Sequence, residues 1–331
     1  MIFEILLYTL ITGFVIGALI PLLPEQIWWL RAWTYPRLQI AIINTVLLMI
    51  LTAVTGLSGG VPKIAGLALV ITIAMCIRDI FPFMPFAKKD SPDANSDNFE
   101  TALSMVIGNV LMDNTQAKGL LHSIESKDPD IVFLVETNAA WRERMTELEA
   151  RYPHTYLLDL ENYNGMLFYA KFPIKSVQER YLVQDHIPSL SIDLDVNGQT
   201  VRFYGVHPRP PRPEDDTEDM DTELNIVAAE ARDCDYPVIV TGDLNDVGWS
   251  STTRQFLDIS ELRDPRKGRG MFNTFNAKSF FVRWPLDHIL HSDHFAVCAI
   301  ERLPKFGSDH FPIYARLAFL KSQNSLMRSG N

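Results

Sequence analysis

The sequence predicts an α-helical membrane region over residues 1–86, followed over residues 99–320 by an α/β domain of two sheets packed face to face with helices outside. Three observations predict this. Long uncharged stretches fill the first eighty or so positions, and from about residue 99 short apolar strands alternate with amphipathic helices. Asn197-Gly198 joins two of those strands as a hairpin turn, so pairing within the sheets is partly antiparallel.

The membrane elements come first. Twenty uncharged residues separate Glu4 from Glu25, and twenty-five separate Arg37 from Lys63. Each stretch is long enough to cross a hydrocarbon core of about 30 Å as a helix. A cleaved signal peptide is the rival for the first, but it lacks a basic start and a small-x-small cleavage site, and a second span follows. The third stretch has fourteen uncharged residues, Ile64 to Ile77, before the adjacent Arg78 and Asp79. Paired opposite charges near a helix end are tolerated, which favours a third span over an interfacial helix. The expected spans are about 5–24, 38–57 and 64–83. Arg31 and Arg37 in the first loop, with Arg78, Lys88 and Lys89 after the third span, put the large domain in the cytoplasm by the positive-inside tendency. Without the third span the domain would be periplasmic. Residues 87–98, AKKDSPDANSDN, read as a linker, and 321–331 as a carboxy-terminal tail.

The soluble elements follow in order. TALSMVIGNV is a strand, QAKGLLHSIESK a helix, DIVFLVE a strand and AAWRERMTELEARY a helix. HTYLLDL, NGMLFYAK, LSIDLDV and TVRFYGVH are strands, and an acidic loop, PRPPRPEDDTEDMDTE, leads into the helix ELNIVAAEARD. YPVIVTGDLN, LDHILHS, HFAVCAIERL and DHFPIYARLAFL complete the set.

Charge and cysteine content exclude some functions. The first 97 residues are neutral, so the soluble part carries the whole formal charge of −10. An acidic body argues against tight non-specific nucleic-acid binding, which needs many Lys/Arg–phosphate contacts. Cys76, Cys234 and Cys298 form no CxxC pair, so neither a zinc site nor a disulfide framework is expected, and they read as buried structural thiols.

Chemistry-bearing residues recur where the strands end. Asn109 closes SMVIGN, Glu136 closes DIVFLVE, His207 closes RFYGVH, and Asp243 and Asn245 close VIVTGDLN. Asp287 sits in WPLDHIL, and Asp309-His310 follow Gly307-Ser308. A single Asp after a strand is usually a turn former, but several carboxylates, amides and imidazoles on one edge call for a ligand. A metal ion and a phosphate would satisfy them.

The run GDLNDVGWSSTTRQF…LRDPRKGRG…TF…PLDHIL…GSDHFPI resembles the endonuclease/exonuclease/phosphatase superfamily, in a bacterial branch with amino-terminal membrane helices. The resemblance covers about residues 101–318. It implies a deoxyribonuclease I-like four-layer α/β sandwich of two packed mixed sheets flanked by helices, in a bacterial inner-membrane protein. It also implies a metal-dependent phosphoester hydrolase using Mg²⁺, with Mn²⁺ as the alternative ion. By motif, Glu136 resembles the principal metal ligand, Asn109 helps position metal or phosphate, and Asp309 matches a second metal-binding or His-orienting carboxylate. Asp243 would orient or deprotonate the attacking water, Asn245 hold a phosphate oxygen, and His310 contact the scissile phosphate, paired with Asp287. His207 sits where relatives touch the phosphate.

The first expectation is a phosphodiesterase or endonuclease acting by in-line attack of water; a lipid-headgroup phosphodiesterase or phosphatase is the alternative, and a catalytically silent membrane scaffold is the reading of another class. No protein partner is evident, and membrane lipid is the expected surrounding. Arg209, Arg212 and the Arg266-Lys267-Arg269 run are candidates for gripping further phosphates, or else solvated loops. Trp249 is expected to wall the site. Phe280 and Phe281 stack on bases, meet lipid or pack between sheets. Asp113 is a further metal contact or a helix cap.

Overall fold

Helices occupy the uncharged amino-terminal stretches: α1 (Ile2–Leu19), a short α2 (Trp28–Ala32), α3 (Arg37–Thr55) and α4 (Gly60–Ile80). The computed structural model describes residues 2–23, 27–95, 99–210 and 217–320, so the expected tail, the end of the linker, Arg212 and much of the acidic loop lie outside the described residues. Among the described residues, three helices are long and apolar enough to cross a membrane: Ile2–Leu22, Arg37–Thr55 and Gly60–Phe83. Their outer faces are bare and apolar, Ile5, Leu6, Met49 and Ile64 among them. Water would penalise such a surface and lipid would not. Inside the bundle Asn44 donates to Thr72 Oγ1 at 3.0 Å, one polar tie between α3 and α4.

The soluble domain begins with β1 (Phe99–Asn109), α5 (Lys118–Lys127), β2 (Ile131–Val135), α6 (Ala139–Arg144), β3 (His154–Leu158) and β4 (Met166–Ala170). It continues with β5 (Ile174–Arg180), β6 (Ser189–Val196), β7 (Gln199–Gly205), α7 (Glu218–Arg232), β8 (Val238–Asp243) and α8 (Ser251–Ser260), and ends with β9 (Asp287–His291), β10 (Phe295–Arg302) and β11 (Ile313–Leu320). Two mixed sheets result. One has the order β10-β11-β1-β2-β4-β3 and the other β5-β6-β7-β8-β9.

The layers follow from strand alternation. Met105 and Ile107 of β1 face the second sheet and join Phe133, Phe168, Phe203 and Ile239 in the central core. Val106 faces outward beneath Leu120, Ile124 and Trp141 of α5 and α6. On the other side Leu224, Val227 and Phe256 of α7 and α8 cover Tyr204 and Val240. Helices, sheet, sheet and helices make the four expected layers.

Each sheet holds one parallel pair, β1 with β2 and β7 with β8, every other pairing being antiparallel. A parallel pair needs a crossover, supplied by α5 in one sheet and α7 in the other. Both pairs end at the same edge of the sandwich, where Asn109 at the end of β1 bonds Asp243 at the end of β8, and ligands of α/β proteins gather at the carboxyl ends of such strands.

The structure departs from the sequence reading in several places. Residues 87–95 are not a free linker: Asp93 bridges Val297 beside β10, the Ala94 N–H donates to Val297 O at 2.9 Å, and Ser91 is buried against His291. β5 and α8 were not expected. Of the cysteines only Cys76 is buried, Cys234 is half-buried and Cys298 exposed.

Candidate active site

Asn109, Glu136, His207 and Asp243 stand at or just beyond the carboxyl ends of the four parallel strands. Asp287 opens β9 directly across from Asp243 in the antiparallel register, so the two side chains share a face. Sequence had placed these groups at strand ends one at a time; the two crossovers bring them together.

The Asp243 carboxylate is fully buried and accepts from the Asn245 N–H at 2.9 Å and from Asn109 Nδ2 at 3.0 Å. The same Asn109 Nδ2 donates to Glu136 Oε1 at 2.7 Å, while Asn109 Oδ1 accepts from the Leu111 N–H. Asn109 thus ties the two carboxylates together. Its oxygen keeps a second lone pair beyond the bond from Leu111. Glu136 and Asn245 both have left-handed backbone, with φ of 58° and 52°. Such conformations in non-glycine residues cost energy and persist where the surroundings impose them, commonly at functional sites.

His310 lies between the two aspartates. Its Nδ1 is 2.7 Å from Asp287 Oδ2 and its Nε2 is 3.5 Å from Asp243 Oδ2. The 308–310 turn is fixed by Ser308, whose hydroxyl donates to Asn109 O and accepts from the His310 N–H. Buried Thr274 supports the other side, its Oγ1 accepting from the Asp287 N–H at 3.1 Å. The Phe275 ring packs on His310, centroids 5.1 Å apart.

Electrostatics follow from this crowding. Burial alone would favour neutral His310, but Asp287 and Asp243 outweigh it and raise its pKa to about 10. Burial opposes charge on Asp243 as well, yet His310 and His207, helped by the Asn109 and Asn245 hydrogen bonds, bring its pKa below the ordinary carboxylate value. Asp287 is pushed up by burial, against the pull of His310. Burial also raises Glu136, with His207 and Asn109 opposing.

One ligand atom each from Glu136, His207 and Asp243 lie within 4.8 Å of one another, as do those of Asp243, Asp287 and His310. Both ring nitrogens of buried His207 and the second oxygen of Asp287 lack hydrogen-bond partners. Unpaired polar atoms at such depth are expensive, and a divalent cation with a phosphate is a chemically matched occupant. The residues therefore fit a cation held by Glu136 and Asp243, hard oxygen donors of the kind Mg²⁺ takes. Asp309 belongs to neither converging group. Its carboxylate acts on His310 through charge alone, while its carbonyl accepts from the Ala277 N–H.

Three expected substrate contacts lie elsewhere. Trp249 is buried against Phe83, and its indole N–H donates to Thr34 O at 2.8 Å, so it fastens the domain to the amino-terminal helices rather than walling the site. Arg269 donates to Ser91 O at 2.8 Å and pairs with Asp93 at 2.6 Å, which clamps residues 91–93. Arg266 is fully buried in a bidentate pair with Asp264 and contacts His288 Nδ1. Arg209 is half-buried two residues beyond His207. Asp113 caps no helix and accepts from the Tyr163 hydroxyl at 2.8 Å. The sequence reading passed over Tyr35, whose hydroxyl donates to Asn245 O at 2.7 Å. The signal was a short inter-span loop, WWLRAWTYPR, with more aromatic and basic residues than a turn needs.

Residues 108–310 match the model of the Endonuclease/Exonuclease/phosphatase family. No curated protein sequence matches the chain. Among solved structures, an endonuclease/exonuclease/phosphatase from Beutenbergia cavernae is similar at 19% identity and a TM-score of 0.55, covering 66% of this chain and 72% of its own. TDP2 of D. rerio, complexed with a single-strand DNA product, is similar at 16% identity and a TM-score of 0.56, covering 66% of this chain and 99% of its own. Sphingomyelinase C from Streptomyces griseocarneus is similar at 18% identity and a TM-score of 0.50, with coverage of 66% and 99%.

Proposed function

Since the chain belongs to the Endonuclease/Exonuclease/phosphatase family and is a phosphoester hydrolase, we propose that it is a membrane-anchored, Mg²⁺-dependent phosphodiesterase in which water attacks phosphorus in line with the leaving group. The observation that carries this reading is the convergence of Glu136, Asp243, His207 and His310 at one sandwich edge, with buried polar atoms left unpaired.

Glu136, with Asp243, is the place for the cation, which when bound polarises the phosphoryl oxygens. Asp243, held ionised by the facing imidazoles, orients the attacking water and takes its proton. Asn245 gives one amide N–H to Pro208 O at 3.0 Å and keeps the second for a phosphate oxygen. His310, kept protonated by Asp287, directs Nε2–H at the oxygen on which negative charge builds. His207 touches the phosphate from the second sheet. The body is fastened to three membrane-crossing helices, on the cytoplasmic side of a bacterial inner membrane by the distribution of basic residues.

A lipid headgroup ester is the substrate reading that a specific observation favours. Phe280 and Phe281 are 78% and 79% exposed on a loop whose Phe281 carbonyl accepts from Gln39, in the first turn of α3. Exposed aromatics beside the start of a membrane helix suit the interface between water and lipid. The Arg266-Lys267-Arg269 run, a candidate for gripping further phosphates, is engaged in internal pairs instead. The test is hydrolysis by the full-length protein of phospholipid vesicles, plasmid DNA and RNA, with Mg²⁺ or with chelator. The proposal expects Mg²⁺-dependent headgroup release that is little affected by salt. Faster cleavage of plasmid, weakening steeply with salt, would make the protein a nuclease.

A further inference from the structure

The loop between the first two membrane-crossing helices reaches the back of the catalytic loop and touches it at three points. Arg31, with no exposed surface, donates from Nη2 to Asp246 Oδ2 at 3.0 Å and to Asp221 Oδ1 at 2.9 Å, and also bonds Thr252. Thr34 offers its carbonyl to Trp249, and Tyr35 gives its hydroxyl to the Asn245 carbonyl. Residues 245, 246 and 249 are thereby held in turn by residues 35, 31 and 34. The Tyr35 ring also leans on Trp284 at 5.6 Å, Trp284 stacks on Phe275 at 6.1 Å, and Phe275 packs on His310.

This arrangement exceeds what anchoring requires. A tether needs only a flexible connection after α4, whereas here a buried guanidinium from α2 neutralises a fully buried carboxylate adjoining Asn245. Asn245 has left-handed backbone, and its peptide is held on both sides, by Asp243 at the N–H and by Tyr35 at the carbonyl. Removing the hold on the carbonyl frees the residue to relax toward a commoner conformation and turns its amide away.

We propose that the first inter-span loop is a working part of the active site, with Tyr35 and Arg31 as positioning residues that set where Asn245 presents its amide. The inference rests on the phosphoesterase reading above. It makes catalysis depend on the membrane region, so that helices and hydrolytic body form one catalytic unit.

The test uses the full chain in detergent with bis-p-nitrophenyl phosphate and Mg²⁺. Tyr35→Phe, which deletes one oxygen, is expected to lower kcat roughly tenfold, since small misplacements of a contacting group carry large rate penalties. KM and the melting temperature should hardly move. Arg31→Met should act in the same direction. In an Asn245→Ala background Tyr35→Phe should add almost nothing, the non-additivity expected of residues acting through one another. Amide hydrogen exchange over residues 243–249 should speed up in both single variants. Wild-type kcat per folded molecule in Tyr35→Phe, or an unchanged loss when Asn245 is already alanine, would overturn the proposal. If the wild-type protein hydrolyses nothing, the functional reading fails on its own, and unchanged exchange over 243–249 would still overturn the positioning role.

Discussion

His310 gathers the physics of the site into one side chain. Two buried aspartates hold its proton. Elsewhere the fold buries imidazoles in the opposite state. His288 is held at about 3 by burial and by Arg266, and His291 at about 4 by burial first and by Arg263. The consequences for stability have opposite signs. For His288 and His291 the folded pKa lies below the ordinary 6.5, so the unfolded chain takes up protons first and stability falls as pH drops from about 6.5 toward 4. For His310 the folded pKa lies above 6.5, so its contribution is complete below that value and is lost as pH rises toward about 10. The imidazoles together predict maximal stability near pH 6.5. Urea midpoints at pH 5, 6.5 and 9, with chelator present, check this. His310→Asn should flatten the alkaline side, and stability that keeps rising to pH 9 would contradict the assignment.

Among the elements, β8 and the turn after it decide where Asp243 points. Gly242 has φ of 140°, and a Cβ there would lie 1.9 Å from the Val206 carbonyl oxygen. Gly242→Ala should therefore cost about 2–4 kcal/mol and displace Asp243. Denaturation midpoints measure this, and an unchanged midpoint would count against the assigned geometry. Most strands were legible because buried β2, β4 and β8 are runs of β-branched and aromatic residues, and because Asn197-Gly198 dictates the β6–β7 hairpin, with left-handed φ at both residues. β5, IKSVQER, was not legible: it is an edge strand, mostly solvated, and its charges hide the alternation. α8 was missed although Ser250 caps it through the Thr253 N–H, because its first residues follow directly on the GDLN motif. The groups that converge at the candidate site could be read from strand ends. The fate of Arg266, Arg269 and Trp249 could not, since only tertiary packing decides whether an arginine or a tryptophan meets solvent or a buried partner.

For the whole molecule, the loop between the first two long apolar helices touches the hydrolytic domain, so under the proposed membrane anchoring the two share one side. That agrees with three crossings, because an odd number of further crossings between loop and domain would separate them. Arg31 and Arg37 are buried in ion pairs with Asp246 and Asp79, so both charges have a structural reason besides orientation. Exposed Cys298 and the exposed Ser58 between α3 and α4 should then lie on opposite sides. With Cys234 replaced by serine, a membrane-impermeant maleimide should label Ser58→Cys in intact spheroplasts and Cys298 only after lysis. Labelling of both in intact cells would refute the three-span arrangement.

As proposed, the edge formed by β1, β2, β7 and β8 is a cation-dependent phosphoesterase centre. The most direct measurement is a Mg²⁺ titration of bis-p-nitrophenyl phosphate hydrolysis by the full chain, beside Glu136→Gln and His310→Gln. Saturable Mg²⁺-dependent turnover is predicted, with His310→Gln lowering kcat roughly 10²–10³-fold at unchanged Mg²⁺ midpoint. Glu136→Gln should shift the midpoint to higher Mg²⁺ as well as slow the reaction. Turnover that ignores chelator, or that survives both substitutions, would place the chemistry somewhere other than this edge.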